Sequence, residues 1–268
     1  MVSSLWSRVV GGVLPGIIAG AASAGVSPFA AEVVSFSQGT GAVASYANPA
    51  NVLGSPTRFT GVGTPYPGAV TPFNPAWGNG DLYSIGSGGH ITVRFGQPVV
   101  NDPANPFGID LLIFGNSFFS DPSFDPVATV LVTSGGGTIE VSPDGSAWTS
   151  VPGIAADGLF PTLGYTDGSD PWGGAAGASD TDFTRPVNPA FDWHGRSYAQ
   201  LIAGYAGSGG GAGIDIGALG LSQVSFVRVS HSGAGNVEID AFSDVSPIPA
   251  PASLFVLAGV LAGSGRRR

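Results

Sequence analysis

Glycine and proline interrupt this chain so often that its apolar residues occur mainly as short runs. The 268 residues include 44 glycines and 22 prolines. Short apolar runs bounded by Gly, Pro, Asn, Asp and Ser are typical of β-strands joined by turns, whereas an amphipathic helix needs a sustained period of 3.6 residues. The sequence therefore predicts an all-β fold.

Two segments show the strand pattern most clearly. In residues 90–95, the apolar side chains of Ile91, Val93 and Phe95 alternate with polar ones, as a strand with one buried face requires. Residues 109–114 are an almost continuous apolar run, which indicates a central strand covered on both faces. Further strands are predicted at residues 128–133 and 138–142 as a loose hairpin, at 148–151 as an edge strand with Trp148 in the core, and at 223–230 and 237–242 as a second hairpin-like pair.

Seven to nine such strands, separated by turn residues, indicate an antiparallel two-sheet sandwich, a jelly roll with long glycine-rich loops. The stretch between the two ends is long enough for one core and too short for two without a linker, so residues 25–245 are expected to form a single domain. Segments 48–81, 155–191 and 204–220 lack a strand pattern. Loops of this length are typical of functional segments, where sandwiches place their binding sites.

The first 24 residues have the pattern of a signal peptide. Arg8 precedes an uncharged run of small and apolar residues that ends in Ala22-Ser23-Ala24, the small-x-small pattern of a signal peptidase site. Glycines and Pro15 within the run disfavour the alternative, a buried N-terminal helix. We expect residues 1–24 to be removed on export, and to form a hydrophobic helix before removal.

The last residues combine three features in a fixed order: prolines, an apolar segment and a basic cluster. They are Pro247, Pro249 and Pro251, then residues 252–265, then Arg266, Arg267 and Arg268. Prolines end a preceding strand, apolar residues enter a bilayer, and arginines resist crossing it. The apolar segment would rise about 21 Å as a helix, short of a hydrocarbon core of about 30 Å, so a processed signal fits as well as a retained transmembrane helix.

This order of features resembles the PEP-CTERM class of bacterial sorting signals, in a Pro-x-Pro-Ala variant that here reads Pro247-Ile248-Pro249-Ala250. The resemblance implies a Gram-negative exported protein that inner-membrane sorting and processing machinery recognises, with membrane contact through the C-terminal segment at least before processing. Delivery would be to the cell surface or the exopolysaccharide matrix. Residues 246–268 would form the signal; the alternative reading from the residues alone is a C-terminal core helix with a basic cap.

The net charge of residues 25–245, the body of the chain, restricts the classes of partner that this part can bind. All eighteen acidic residues lie between the terminal segments, together with five of the nine arginines, so the body carries a formal charge near −13. Such a surface repels nucleic acid and anionic lipid and suits divalent cations or neutral sugars. The chain has no cysteine, which excludes disulfides and thiolate metal sites.

The body also resembles uncharacterised bacterial cell-surface proteins with a discoidin-like or galactose-binding-like sandwich. The resemblance implies a binding module, and Gly115 stands where those relatives carry a glutamate. The matching motifs are residues 88–95, 108–116, 141–148, 226–229 and 237–241.

The densest acidic cluster lies in the strandless middle segment. Asp167, Asp170, Asp180 and Asp182 supply carboxylates in a loop whose carbonyls are free of strand pairing, and calcium prefers six to eight such oxygens. A calcium-ordered loop is therefore one hypothesis, and a solvated acidic loop whose aspartates cap turns is the alternative. A second cluster would form if the strands brought together Asp102, Asp110, Asp240 and Asp244.

Aromatic residues in the long segments are candidate ligand contacts, because flat rings stack on sugars while neighbouring Asn and Asp side chains bind hydroxyls. The alternative is that these rings plug the loops against the sandwich. The candidates are Trp77, Tyr165, Trp172, Trp193 and Tyr198.

Catalytic motifs are scarce. The three histidines are scattered, no Gly-x-Ser-x-Gly elbow is present, and the absence of lysine excludes a Walker loop. His194 is the best single catalytic candidate, and no catalytic set is predicted. We expect a non-enzymatic carbohydrate-binding or structural protein of the envelope; the alternatives are a glycan hydrolase or lyase that uses loop aspartates, and a purely structural matrix protein.

Overall fold

The computed structural model describes residues 27–120 and 122–246, and this part of the chain is mostly β. The predicted signal peptide, the sorting signal from Pro247 onward and their hydrophobic helices lie outside the described residues. The strands are β1 (Ala30–Ser37), β2 (Phe59–Thr60), β3 (Gly68–Ala69), β4 (Tyr83–Gly86), β5 (Gly89–Val100), β6 (Leu111–Gly115), β7 (Phe118–Ser120), β8 (Val130–Val132), β9 (Thr138–Ser142), β10 (Thr149–Val151), β11 (Ala212–Ile214), β12 (Gln223–His231) and β13 (Asn236–Asp244). Short 3-10 helices at Pro49–Val52 and Pro106–Gly108 and the helix α1 (Tyr198–Tyr205) complete the described elements.

Nine of these strands form two antiparallel sheets. The five-stranded sheet has the order β1-β5-β12-β9-β10, and the four-stranded sheet has the order β11-β6-β13-β4. β2 pairs with β3, and β7 pairs with β8, in two small hairpins outside the main sheets. The prediction of an all-β fold with antiparallel sheets is therefore confirmed. The thirteen described strands exceed the seven to nine expected, and β2, β3 and β11 lie in segments without a strand pattern, because strands of two or three residues are too short to show one.

The two sheets share one apolar core. Ile91, Val93 and Phe95 of β5 are buried on the same side, in the alternation that the sequence predicts. Leu111 and Ile113 of β6 belong to the same buried cluster from the four-stranded sheet. Because both sheets contribute to one cluster, they pack face to face as an antiparallel sandwich.

Strand β6 is covered on both faces, as its continuous apolar run predicts. Its outer side chains Leu112 and Phe114 lie in a second buried cluster, where the Phe183 ring contacts Phe114 edge-on with 5.3 Å between ring centroids. Phe183 belongs to the middle strandless segment. A loop therefore supplies the cover that a second sheet would otherwise provide.

The long segments form a third layer on the outer face of the four-stranded sheet. In one part, α1 packs Tyr198, Leu201 and Tyr205 against Phe73 and Phe119 in a separate buried cluster. In another part, a cluster of Val70, Ala76 and Leu82 orders the segment before β4. Segments without strand patterns are thus ordered by cores of their own.

Two predicted hairpins are wrong. β8 pairs with β7 instead of β9, and β9 pairs with β12 because Ile139 and Val141 face the common core beside Val227 and Val229. β12 and β13 follow each other in the chain but belong to different sheets. β12 and β13 bury their apolar side chains in the same core, β12 from one sheet and β13 from the other. The turn that joins them therefore crosses from one sheet to the other.

The first and last described residues meet at one edge of the sandwich. Phe29 forms a bridge with Ser243, and the Pro28 carbonyl accepts a hydrogen bond from the Asp244 N–H at 2.7 Å. The two ends of the body therefore leave it side by side.

None of the helices in residues 27–120 and 122–246 has the length and apolar character of a membrane-spanning helix.

Candidate functional site

The four aspartates of the predicted calcium loop each have a local partner. Asp167 accepts hydrogen bonds from the backbone N–H groups of Ser179 at 3.1 Å and Ala178 at 2.9 Å, and these bonds hold the pKa of its carboxyl below the usual value. Asp170 accepts from the Trp172 N–H at 2.9 Å. These carboxylates stabilise turns in the loop.

The other two aspartates hold the ends of the same loop. Asp180 forms an ion pair with Arg58 at 3.4 Å, and Asp182 accepts from the Thr184 N–H at 2.8 Å. No group of three or more His, Asp or Glu side chains in the described residues is arranged as a metal site. Hydrogen bonds and one ion pair order this loop in the structure, and the calcium site stays a prediction from the sequence.

The second predicted acidic cluster is divided. Asp110 and Asp244 are close, and burial together with the Asp110 charge raises the pKa of Asp244 to about 6. Asp102 joins Asp110 through a backbone hydrogen bond of 3.2 Å. Asp240 lies elsewhere, bound by Thr57. The strands therefore bring three of the four residues into one region.

Three of the five predicted aromatic contacts pack inward. Tyr198 is buried 6.2 Å from Phe73, and Trp193 stacks on Phe119 with ring centroids 4.6 Å apart. Tyr165 is half-buried. Tyr198 and Trp193 therefore belong to the loop layer's own apolar cluster, which is separate from the sandwich core.

Trp172 is the more exposed of the two remaining tryptophans. It keeps 45% of its surface exposed, and its ring contacts Phe73 below and Phe124 beside it. Phe124 is 83% exposed and has a positive φ of 56°. This pair presents aromatic surface, and the Asp170 carboxylate beside it is bound to the Trp172 backbone N–H.

Trp77 differs because polar side chains surround it. A pocket of about 280 Å³ lies between the turn after β2 and the turn before β4. Its wall combines the indole of Trp77 with a hydroxyl, an amide and a carboxylate, from Thr64, Asn79 and Asp81. The two turns, 15 or so residues apart in sequence, meet here because the β2–β3 hairpin folds back over the segment before β4.

The pocket wall is fixed by hydrogen bonds within the chain. The Thr60 hydroxyl accepts a hydrogen bond from the backbone N–H of Trp77 at 2.9 Å, and the Tyr46 hydroxyl donates to the Trp77 carbonyl at 2.6 Å. Asp81 accepts from the Gly78 N–H at 2.8 Å and from the Thr60 hydroxyl, both through Oδ2. Its Oδ1 has no hydrogen-bond partner among the described residues, so an acceptor remains available at the pocket.

Gly61 fits closely under the indole. Its φ is +70°, and a Cβ at this position would collide with the six-membered ring of Trp77. Only glycine allows both the backbone conformation and the close approach. The turn and the tryptophan are thereby held in one arrangement.

The exposed side of the five-stranded sheet was missed by the sequence interpretation. Trp148, which was expected in the core, is half-buried on this side, with the Arg228 guanidinium 4.1 Å from its ring centroid. Arg228 also pairs with Glu140 at 2.8 Å. These contacts join residues 80 to 88 positions apart, which local patterns do not reveal.

His194 has no catalytic setting in the structure. It is exposed, and its backbone N–H donates to Asp192 at 3.2 Å. His90 and His231 lie on the five-stranded sheet, on the other side of the sandwich from the loop layer. His90 and His231 line one groove on that sheet, and His194 is not among its lining residues.

No family model matches the chain, and no curated protein matches it.

Proposed function

We propose that this protein is an exported, envelope- or matrix-associated module that binds a polysaccharide through the pocket around Trp77. The observation that carries the proposal is the pocket's composition: a flat indole beside a hydroxyl, an amide and a carboxylate oxygen without a partner. Ligand sites of this kind combine an apolar surface with a few placed polar groups. The proposal includes the jelly-roll, discoidin-like or galactose-binding-like assignment of the sandwich.

Sugar chemistry suits this pocket in two ways. The C–H face of a pyranose ring packs on an indole, and its hydroxyls act as donors to Asp81 and as donors or acceptors to Asn79. The Thr64 hydroxyl already donates to the Gly61 carbonyl at 2.7 Å, so a sugar hydroxyl would act as a donor to it. The pocket has a volume of about 280 Å³, which would hold one or two sugar units of a long chain. Its fixed wall reduces the ordering cost of binding.

The terminal segments support an extracellular role. The described body begins at Ser27 and ends at Ser246, next to the edge where Pro28 meets Asp244, so both proposed signals would be joined to the body at this edge. Trp77 lies in the loop layer that covers the outer face of the four-stranded sheet. Inner-membrane processing at the shared edge would leave this layer accessible to matrix polysaccharide.

The test is binding of the full-length chain, in mild detergent, to a glycan array and to immobilised bacterial exopolysaccharide. We expect binding to neutral glycans that weakens at least tenfold in Trp77→Ala. Phe124→Ala, which removes an exposed ring outside the pocket, should bind like the natural sequence. Absence of binding to all glycans, or equal binding by Trp77→Ala, would overturn the proposal.

A further inference from the structure

The two outer faces of the sandwich differ. The outer face of the four-stranded sheet is covered by the loop layer, as Phe183 on Phe114 and Thr57 on Asp240 show. The outer face of the five-stranded sheet carries hydroxyl and charged side chains, and among the described residues the Trp148 ring covers part of it, over the Arg228 guanidinium. Thr92 on this face is buried, whereas His90, Glu140, Arg228 and Ser230 are partly exposed and available to a ligand.

Polar side chains on this open face stand in rows across neighbouring strands. Arg228 of β12 lies between Thr92 of β5 and Glu140 of β9. Ser230 lies between His90 of β5 and Thr138 of β9 in the next row. Side chains directly opposite on one sheet face are about 5 Å apart, so the two rows form one continuous polar surface.

A groove of about 350 Å³ follows these rows. Its walls include His90, Glu140, Arg228, Ser230 and His231. His231 is buried, and its Nε2 lies 3.3 Å from the Ala234 carbonyl, which fixes the turn that forms one end of the groove. The groove is therefore held by the sheet and by this turn.

The ion pair in the groove uses only part of its hydrogen-bonding capacity. Nε and Nη2 of Arg228 both bind Oε2 of Glu140, each at 2.8 Å. Nη1 of Arg228 and Oε1 of Glu140 have no hydrogen-bond partner among the described residues. The pair is about three-quarters buried, with side-chain exposures of 30% and 24%. Its unused donor and acceptor therefore lie in a partly buried position.

An ion pair that keeps one unused donor and one unused acceptor can bind two adjacent hydroxyls of a sugar ring, one accepting and one donating. An anionic ligand suits the groove less well than a neutral one, because Glu140 already neutralises the Arg228 charge and would repel the anion. A neutral, vicinal diol is thus the ligand chemistry that the groove favours.

We propose that this groove is a second carbohydrate site, for a neutral sugar with adjacent hydroxyls, and that the protein uses it with the Trp77 pocket to cross-link polysaccharide chains. The inference rests on the proposed function of the Trp77 pocket. The two sites lie on opposite sides of the sandwich, so one chain of polysaccharide does not easily reach both. Two linked sites that bind separate polysaccharide chains hold a polysaccharide network more strongly than either site does alone.

The test compares the natural full-length chain with two variants, each of which removes one of the two proposed sites. Trp77→Ala removes the Trp77 pocket, and a double substitution removes the groove. Arg228→Gln combined with Glu140→Gln removes both charges while it keeps amide groups that bind each other. The matched control is Arg94→Gln combined with Glu32→Gln, which removes the ion pair of 2.5 Å on the same sheet face outside this groove. Calorimetric titration uses a short neutral oligosaccharide identified on the glycan array, and light scattering uses the corresponding polysaccharide.

We expect two oligosaccharides per natural chain, one per chain in Trp77→Ala and in the groove variant, and two in the control. Scattering from cross-linked polysaccharide should fall at least tenfold in both single-site variants. One oligosaccharide per natural chain, lost in Trp77→Ala and unaffected by the groove variant, would overturn this inference and leave the proposed function standing. An equal loss in the control would also overturn it, whereas no binding by the natural chain would overturn the proposed function itself.

Discussion

Thr57 holds both oxygens of the Asp240 carboxylate. Its backbone N–H donates to Oδ2 at 2.9 Å, and its hydroxyl donates to Oδ1 at 3.0 Å. The contact joins residues 183 positions apart and attaches the segment before β4 to strand β13. Burial of the carboxyl outweighs these two bonds and, with the nearby charge of Asp81, raises the pKa of Asp240 to about 8.

Asp240→Asn should remove a pH dependence of stability. In the folded protein the carboxyl keeps its proton up to about pH 8, whereas in the unfolded chain it loses the proton near its model value of 3.8. The unfolded state therefore binds fewer protons between these values, so the free energy of unfolding falls as pH rises from about 4 to about 8. The decrease is on the order of 6 kcal/mol, at about 1.4 kcal/mol per pKa unit. Asparagine stays neutral and can still pair with Thr57.

Urea unfolding at several pH values between 4 and 9 measures this effect. Asp125→Asn, at an exposed position, is the control and should keep the slope of the natural chain. A slope that is unchanged in Asp240→Asn would show that the Thr57 contact does not hold a protonated carboxyl.

Gly115→Ala should destabilise the fold. A Cβ at this position would meet Oδ1 of Asp157 and the backbone oxygen of Glu238, so strand β6 or the Asp157 loop must shift. Overpacking of this kind costs about 1–3 kcal/mol. Gly80→Ala is the control, because a Cβ there meets no atom within 4 Å and the backbone is not left-handed. Urea midpoints that coincide for the two variants would contradict the packing described around Gly115.

Asp157→Ala should cost more than Asp157→Asn. The carboxylate accepts from the N–H of Ser117 at 2.8 Å and the N–H of Ser134 at 2.9 Å, in a buried setting that raises its pKa. Alanine leaves both buried donors without partners, at about 1–3 kcal/mol each. Asparagine retains one acceptor oxygen. Equal urea midpoints for the two variants would show that these bonds contribute nothing beyond the volume of the side chain.

Phe183→Ala should show that the loop layer is part of the cooperative fold. Its ring is buried, lies against Phe114 and accepts the Arg58 guanidinium 4.0 Å from its centroid. Loss of a buried phenylalanine costs about 3–5 kcal/mol. Phe124→Ala, at an 83% exposed ring, should change stability little. A separate early unfolding step, seen by tryptophan fluorescence in the natural chain, would show instead that the layer unfolds independently of the sandwich.

Local patterns predicted the strands better than their partners. The alternation in β5 and the apolar run of β6 each specify burial of one strand, and both predictions hold. Pairing depends on which apolar faces meet in the common core, so β9 joins β12, which is far from it in sequence. A turn of glycine and serine residues looks alike whether it closes a hairpin or crosses between sheets.

The candidate site was only partly visible in the sequence for the same reason. Trp77, Asn79 and Asp81 are close in the chain and were identifiable as a possible sugar contact. Thr64 joins them only through the β2–β3 hairpin, whose strands are two residues long. The partners of Asp240 and Arg228 come from distant strands and segments, so no spacing rule predicts them.

Polysaccharide binding at the Trp77 pocket can be measured by affinity electrophoresis of the full-length chain through gels containing envelope polysaccharide from the producing cells. We expect the natural chain and Phe124→Ala to be retarded to the same extent as polysaccharide is added, and Trp77→Ala to be retarded at least tenfold less. Equal migration of all three proteins at every polysaccharide concentration would contradict binding at this pocket.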